Sequence, residues 1–411
     1  MRADRGAILI HVALAIAMLF ALSAFVIDRG VFWVARGEAQ TAADAGALAG
    51  ALSRALDEAS ATPAANGPAQ QAATATAVGN LVSHVAPGVA VAWDCPPFVA
   101  HPDARCAQVE VYRDGTHGST AMPTVFGRLL NLQTQGVRAS ATAAATPVYG
   151  SDCLRPWAVS DRWLEQNAPA TPASFNRYAS YDKKTGTFTL FSPPDVYAAP
   201  TADDAGTGYR VPTDAGTRVT LKLGQAKDEA QIDNGWYLAV DLPGADGGFE
   251  SGANAYREHI GSACGSMATV VIGDYLPAES GNMVGPTRQG VAALVAQDPG
   301  AYWDASARVV RGSCAETDTC PDGQHSSPRV AAIAVFDPDQ FQSAQVRHDW
   351  SACPGGGPCV RLVNILGFFV EGVTGGGDVT GILLKMAGTR TTAGWQVGDP
   401  SAFLWTVNLV R

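Results

Sequence analysis

Charge is sparse in this sequence: only 16% of its 411 residues are charged, and lysine accounts for five of the 28 basic ones. The overall balance is acidic, with a net charge of −10. Residues 1–36 hold Arg2, Arg5, Arg29 and Arg36 against Asp4 and Asp28, a net of +2, which leaves −12 on the remainder. Nucleic-acid binding needs clustered Lys or Arg to displace counterions from phosphates. With no basic stripe, nucleic acid is set aside as a partner. Catalytic signatures are missing as well. There is no H-E-x-x-H and no other close pair among His11, His84, His101, His117, His259, His325 and His348. No G-x-S-x-G marks a nucleophile elbow, and no C-x2-C pair offers zinc-ligand spacing.

What the sequence does have is one long uncharged run, "AILIHVALAIAMLFALSAFVI", residues 7–27. About 20 apolar residues in a helix cover a hydrocarbon core of ~30 Å, so a transmembrane helix is expected here. The competing reading is a cleaved signal peptide with "ALS" before Ala24 as its site; such peptides carry a shorter apolar region. Arg2 and Arg5 on the N-terminal side favour a cytoplasmic N-terminus, while Arg29 and Arg36 weaken that vote. All eight cysteines follow the run: Cys95, Cys106, Cys153, Cys264, Cys314, Cys320, Cys353 and Cys359. An even number there fits structural disulfides in an oxidising compartment. Nearest-neighbour pairing gives Cys95–Cys106, Cys314–Cys320 and Cys353–Cys359, with Cys153–Cys264 as the long link, one of 105 connectivities eight cysteines allow.

The helix is expected to continue past the membrane. No proline falls between Val31 and Ser60, and alanine and leucine are strong helix formers. Three rows run at four-residue spacing: Ala39, Ala43, Ala47, Ala51 and Ala55; Ala42, Gly46 and Gly50; and Leu48, Leu52 and Leu56. Small residues at that spacing let helix backbones approach closely. Ala39, Ala42, Ala43, Gly46, Ala47 and Gly50 are therefore the candidate helix-packing residues. Two accounts stay open. Either the leucine row docks on the chain's own domain, or the small rows pack against another helix, such as one from a neighbouring subunit.

"ATPAANGP", residues 61–68, breaks the helix. A second helix is expected over 69–85, strands at 88–93, 107–112 and 136–146, and a small helix near Val125–Leu132. Beyond Pro147 the candidate strands are 186–191, 217–223, 236–241, 268–273, 329–336, 359–373 and 403–410, with helices at 252–262 and 286–297. Strands with a few helices and no regular βαβ rhythm indicate an α+β fold with a mostly antiparallel sheet. The expected organisation is a cytoplasmic tail at 1–6, a transmembrane helix at 7–27 and its extracytoplasmic extension at 28–60. A small α+β unit at 61–147 and a β-rich extracytoplasmic domain at 148–411 follow.

Two stretches invite a site reading. "LPGADGGFESG", 242–252, holds Asp246 and Glu250 but lacks the alternating oxygen ligands of a calcium loop; a turn-rich loop is expected. "RVAAIAVFDPD", 329–339, ends a strand in Asp337, as adhesion-type metal sites of von Willebrand A domains begin. The hydroxyl ligands of D-x-S-x-S are missing, because Pro338 and Asp339 follow. His11 is polar within the apolar run and marks either a helix contact or a group reaching the headgroups. No catalytic, cofactor-binding or metal residues are assigned.

Residues 5–52, "RGAILIHVALAIAMLFALSAFVIDRGVFWVARGEAQTAADAGALAGAL", resemble the N-terminal segment of TadG-like Flp-pilus assembly proteins. The resemblance rests on Arg5-Gly6 before the apolar run, Asp28 just past it, and "QTAADAGALAGA" at 40–51. "GNMVGPTRQGV" and "VRLVNILGFFVEG" are also similar to parts of large TadG-related proteins. The resemblance implies a single-pass component of the tight-adherence pilus machinery in the inner membrane, with other pilus-assembly proteins as partners, self-association open, and no catalytic residues to carry over. Counting from Gly6, the position where type IV pilins carry a glutamate holds His11, which argues against pilin-type processing. The leading expectation is a non-enzymatic tether; the alternative is a membrane-anchored extracytoplasmic enzyme, hydrolase-like, with an unrecognised site.

Overall fold

The computed structural model describes residues 4–57, 62–99, 101, 103–166, 178, 180–182, 185, 187–189, 192–201, 206–224, 232, 235–262, 268–317, 319–320, 326–389 and 401–410. The chain divides into two compact units, Met1–Thr146 with Val407–Arg411, and Pro147–Thr406. The C-terminal residues thus belong to the first unit, whereas the sequence reading assigned all of 148–411 to the body.

The first unit is built on α1 (Asp4–Leu56), a single helix of 53 residues. α2 (Pro68–Gly79) starts with its proline in the first turn, where a missing N–H costs nothing. It ends six residues before the expected 85: Asn80 is extended at φ −87° and ψ 95°, and its side-chain amide donates to the Thr76 carbonyl at 2.8 Å; Ser83 and His84, at positive φ of 49° and 63°, then turn the chain. Strands β1 (Gly88–Ala92), β2 (Arg105–Arg113) and β3 (Val137–Pro147) form an antiparallel sheet in that order, with Val91 opposite Val109 and Val109 opposite Ala141. The helix expected near Val125–Leu132 is a single 3-10 turn, Gly127–Leu130, closed by Asn131 at φ 63°.

The second unit is a sheet that closes on itself. Its strands are β4 (Leu154–Ser160), β5 (Arg218–Leu223), β6 (Trp236–Ala239), β7 (Tyr275–Pro277), β8 (Val330–Phe336), β9 (Cys359–Val373) and β10 (Val379–Leu384). The pairing runs β9-β8-β4-β6-β5-β10 and back to β9, a closed circuit of six strands, while β7 lies against the start of β9. β8–β4 and β6–β5 are parallel, and the other four pairings of the circuit are antiparallel. The fold is α+β with a mostly antiparallel sheet. Nothing in the strand pattern announced the closure, because it depends on partners far apart in sequence.

Both faces of this sheet are buried. Along β8, Ile333 and Val335 join one core with Trp157, Tyr237 and Phe368, and Ala332, Ala334 and Phe336 join another with Leu154 and Leu362. Helices α3 (Ala253–Gly261) and α4 (Val284–Gln297) add Tyr256, Ile260, Val291 and Leu294 to the first core. α5 (Pro338–Arg347) adds Phe341 to the second. Its start is a cap missed in the sequence: the Asp337 carboxylate accepts the Gln340 N–H at 2.9 Å, and Pro338 opens the helix.

Three expected disulfides are present, Cys95–Cys106, Cys314–Cys320 and Cys353–Cys359. Cys153 is also disulfide-bonded; Cys264, its expected partner, lies outside the described residues. Bridges of this kind contribute about 2–4 kcal/mol each, less for short loops.

Candidate functional site

α1 changes character along its length. From Ile8 to Val34 its large apolar side chains are exposed, among them Leu9, Phe20, Phe25 and Trp33. Among the described residues it is the one helix long and apolar enough to cross a membrane. From Ala35 onward one face is buried: Ala35, Ala39, Ala42, Ala43, Ala47, Ala51 and Ala55 have no exposed surface. The partner of that face is the chain itself. α2 presents Ala69, Ala73 and Ala77, equally buried and also four apart, and β2 supplies Ala107 and Val109.

The two glycines fix how close the helices come. A Cβ on Gly46 would lie 2.8 Å from Ala77 Cβ, 3.0 Å from the Ala73 carbonyl oxygen and 3.2 Å from Val109 Cγ1. One on Gly50 would lie 2.8 Å from Ala73 Cβ and 3.2 Å from Ala107 Cβ. Only hydrogen fits in either place. Gly46 and Gly50 therefore lie in an intramolecular seam of α1 with α2 and β2, and the other four candidates, Ala39, Ala42, Ala43 and Ala47, are fully buried on the same helix. In the leucine row Leu52 is exposed, and Leu48 and Leu56 are half-buried. The close helix partner of Gly46 and Gly50 comes from the same chain.

Polar groups of the same helix pin the first unit at four levels. Asp28 accepts three backbone N–H groups, from Val125 at 2.8 Å, Phe126 at 3.1 Å and Gly127 at 2.7 Å. Glu38 accepts the Ser83 N–H at 2.7 Å, which holds the turn after α2. Gln40 bridges Asp44 at 2.8 Å and the Ser140 carbonyl at 3.1 Å. Arg54 donates to the carbonyls of Trp93 and Cys106 at 2.6 and 2.5 Å and so reaches β2 beside the Cys95–Cys106 bridge. Carboxylates that accept several amide N–H groups make strong, charge-assisted bonds. Asp28, Glu38, Gln40 and Arg54 are thus spent on contacts within their own unit.

The second unit holds buried ionisable groups at the ends of two parallel strands. Asp161 follows β4 and Asp337 follows β8. Asp161 accepts the backbone N–H of Arg162 at 2.9 Å and of Tyr209 at 3.1 Å, and the Tyr197 hydroxyl at 3.2 Å. Burial pushes its pKa up to about 7 against the pull of these donors, and Asp337 adds to the rise. Burial likewise raises Asp337, which Gln340 and Arg361 oppose. Asp241 is raised by burial and then by Glu279 beside it. Each carboxylate oxygen of Asp161 already has a donor from the protein, and Gly208 comes so close that a Cβ there would meet both oxygens. Asp161 is fully buried, with both oxygens engaged by groups of its own unit.

These shifts carry a pH consequence. Asp161 is harder to ionise in the folded chain than in the unfolded one, so its stabilising contribution is full below the ordinary carboxylate pKa. It is lost as pH rises through about 7. Asp337 and Asp241 are shifted in the same direction. The melting temperature of the second unit is expected to fall between about pH 5 and about pH 8, and Asp161→Asn to flatten the slope, as read by circular dichroism across that range.

His259 and Glu250 meet at 2.8 Å, Nε2 to Oε2, with Glu250 in the glycine-rich stretch 242–252. No group of three or more His, Cys, Asp or Glu side chains that could hold a metal is found among the described residues. The sequence offered no sign of Asp28 as an acceptor, although it stood in the quoted resemblance. It also missed two buried arginines, Arg155 and Arg329, whose guanidinium groups donate to backbone carbonyls.

No curated protein and no solved structure matches the chain. The match that is found falls on the segment whose geometry is described above, from the glycine before the apolar run to the end of the buried seam. Residues 6–60 match the family of putative Flp pilus-assembly TadE/G-like proteins.

Proposed function

We propose that the chain is a non-enzymatic, single-pass component of Flp pilus assembly or secretion that tethers an extracytoplasmic domain close to the pilus machinery. The TadE/G-like match over residues 6–60 supports a pilus-assembly role. The observation that carries the tethering reading is the continuity of α1. The bare apolar half and the half locked into the first unit are one helix, so an anchor and a folded unit are joined without a linker. On this reading the N-terminus is cytoplasmic, the anchor crosses the inner membrane, and the disulfide-bonded units face an oxidising compartment. The partners are other proteins of the pilus machinery in that membrane.

The enzyme reading draws on Asp161 and Asp337, a carboxylate pair at adjacent strand ends. Their donors come from the chain's own backbone and Tyr197, which favours a structural role. Two measurements on cells test the proposal. A C-terminal alkaline-phosphatase fusion is expected to be active, with the full-length chain retained in the membrane fraction. In-cell cross-linking and pulldown is expected to recover pilus-system proteins. A soluble product beginning near Ala24, or a pulldown free of pilus components, would count against it.

A further inference from the structure

The segment after β2 is held at an unusual place. Met122–Pro123 pairs with Thr134–Gln135, and the loop between them is closed by the Leu132 N–H on the Gly127 carbonyl at 2.9 Å. The tip is clamped to α1 through Asp28, whose two carboxylate oxygens take the N–H groups of residues 125–127. Asp28 is the first charged residue after the uncharged run 7–27. Whatever binds it is within a few ångströms of the level at which that run ends.

Two apolar side chains at this clamp are bare. Val125 is 56% and Leu132 61% exposed, and exposed Arg128 lies between them. Trp33, 73% exposed, projects from α1 about 8 Å further along at a rise of 1.5 Å per residue. Apolar side chains and an arginine beside the end of a spanning helix, with a tryptophan about 8 Å further on, are the side chains that settle at a membrane–water interface.

We infer that the 124–132 loop is a second membrane contact, docked into the headgroup region of the same bilayer that α1 crosses, with Asp28 setting its depth. The occupant of this surface is lipid. The inference rests on the reading of α1 as a membrane span, and the test separates the two.

The full chain, carrying the photoreactive residue benzoylphenylalanine at position 125, 132, 20 or 98, is reconstituted in vesicles of phosphatidylethanolamine and phosphatidylglycerol and irradiated. Position 20 reports on the span, and position 98 replaces Phe98, an apolar side chain 63% exposed elsewhere on the same unit. Lipid adducts are expected at 20, 125 and 132 and not at 98. Asp28→Ala is expected to abolish the adducts at 125 and 132 while leaving those at 20. Adducts at 20 with none at 125 and 132 would overturn the docking and leave the span standing. Adducts to a second protein chain at 125 and 132 would make the surface a protein interface and also overturn it. Loss at all three positions would remove the span, and the docking with it.

Discussion

Replacing Gly46 with leucine is expected to unfold the seam of the first unit. The sign is decided by two opposed terms. In an exposed helix the substitution would stabilise by roughly 0.5–1 kcal/mol, since glycine is a poor helix former. At Gly46 the first added carbon already lies 2.8 Å from Ala77 Cβ and 3.0 Å from the Ala73 carbonyl oxygen. A backbone carbonyl cannot swing aside as a flexible side chain can, so α2 must move as a whole. Overpacking of this kind costs about 1–3 kcal/mol and sometimes more, and it outweighs the propensity gain. Gly50→Leu meets Ala73 and Ala107 in the same way. The measurement is thermal unfolding of the detergent-solubilised chain, read by a probe in the first unit. Gly30→Ala and Gly37→Ala serve as controls: nothing lies within 4 Å of either added carbon, and both are expected to leave the unit as stable or slightly more so. A rise in melting temperature for Gly46→Leu would mean that the face is open.

The other large effect is expected at Arg329. Its guanidinium donates to four carbonyls: Val370 at 2.9 Å, Asp298 at 3.0 Å, Ala301 at 2.8 Å and Glu371 at 3.1 Å. It also lies 4.8 Å from the centre of the Phe369 ring. Arg329→Met keeps much of the volume and strands several buried acceptors, each worth about 1–3 kcal/mol when left unmade. The summed loss, about 3 kcal/mol or more, corresponds to a fall of roughly 6–12 °C in the melting temperature of a unit of this size. Arg329→Lys is expected to recover little, because an ammonium group lacks the planar fork that reaches several carbonyls at once. Full stability of the methionine variant would show that the carbonyls find other donors.

The first unit was legible where its pattern is local. The four-residue spacing of alanines and glycines marked the seam of α1, and alternation marked β1, β2 and β3. The identity of the partner was not legible, since Ala69, Ala73 and Ala77 read equally well as ordinary helix formers. The short helix expected at Val125–Leu132 stops after one turn, because Asn131 turns left-handed at φ 63° and its N–H closes back on that turn. In the second unit the long strands β8 and β9 matched their expected limits closely, because both are nearly continuous apolar runs. β4 was missed because "LRPWAVS" combines a proline with a buried arginine, and both argue against a strand in sequence alone. Arg155 is tolerated there because it reaches the carbonyls of His259, Ser262 and Pro328. α5 was missed through a competing reading: Asp337-Pro338 was weighed as the start of a metal site, when it is a cap followed by a first-turn proline. The closed strand circuit lay beyond reach, since β8 pairs with β4 across more than 170 residues.

The unbroken run of α1 from Asp4 to Leu56 has a mechanical consequence. A spanning helix meets a thinner or thicker bilayer by tilting, at a cost of a fraction of a kcal/mol per ångström of mismatch. A flexible linker after the anchor would absorb that tilt. Here no proline and no break separates the apolar half from the half buried against α2 and β2. Any lean of the helix is therefore a lean of the whole first unit, in the same direction and through the same angle. Bilayer thickness and the attitude of this unit above the membrane are one variable, so a neighbour that thins the bilayer or pulls on the helix axis would turn the unit without touching it.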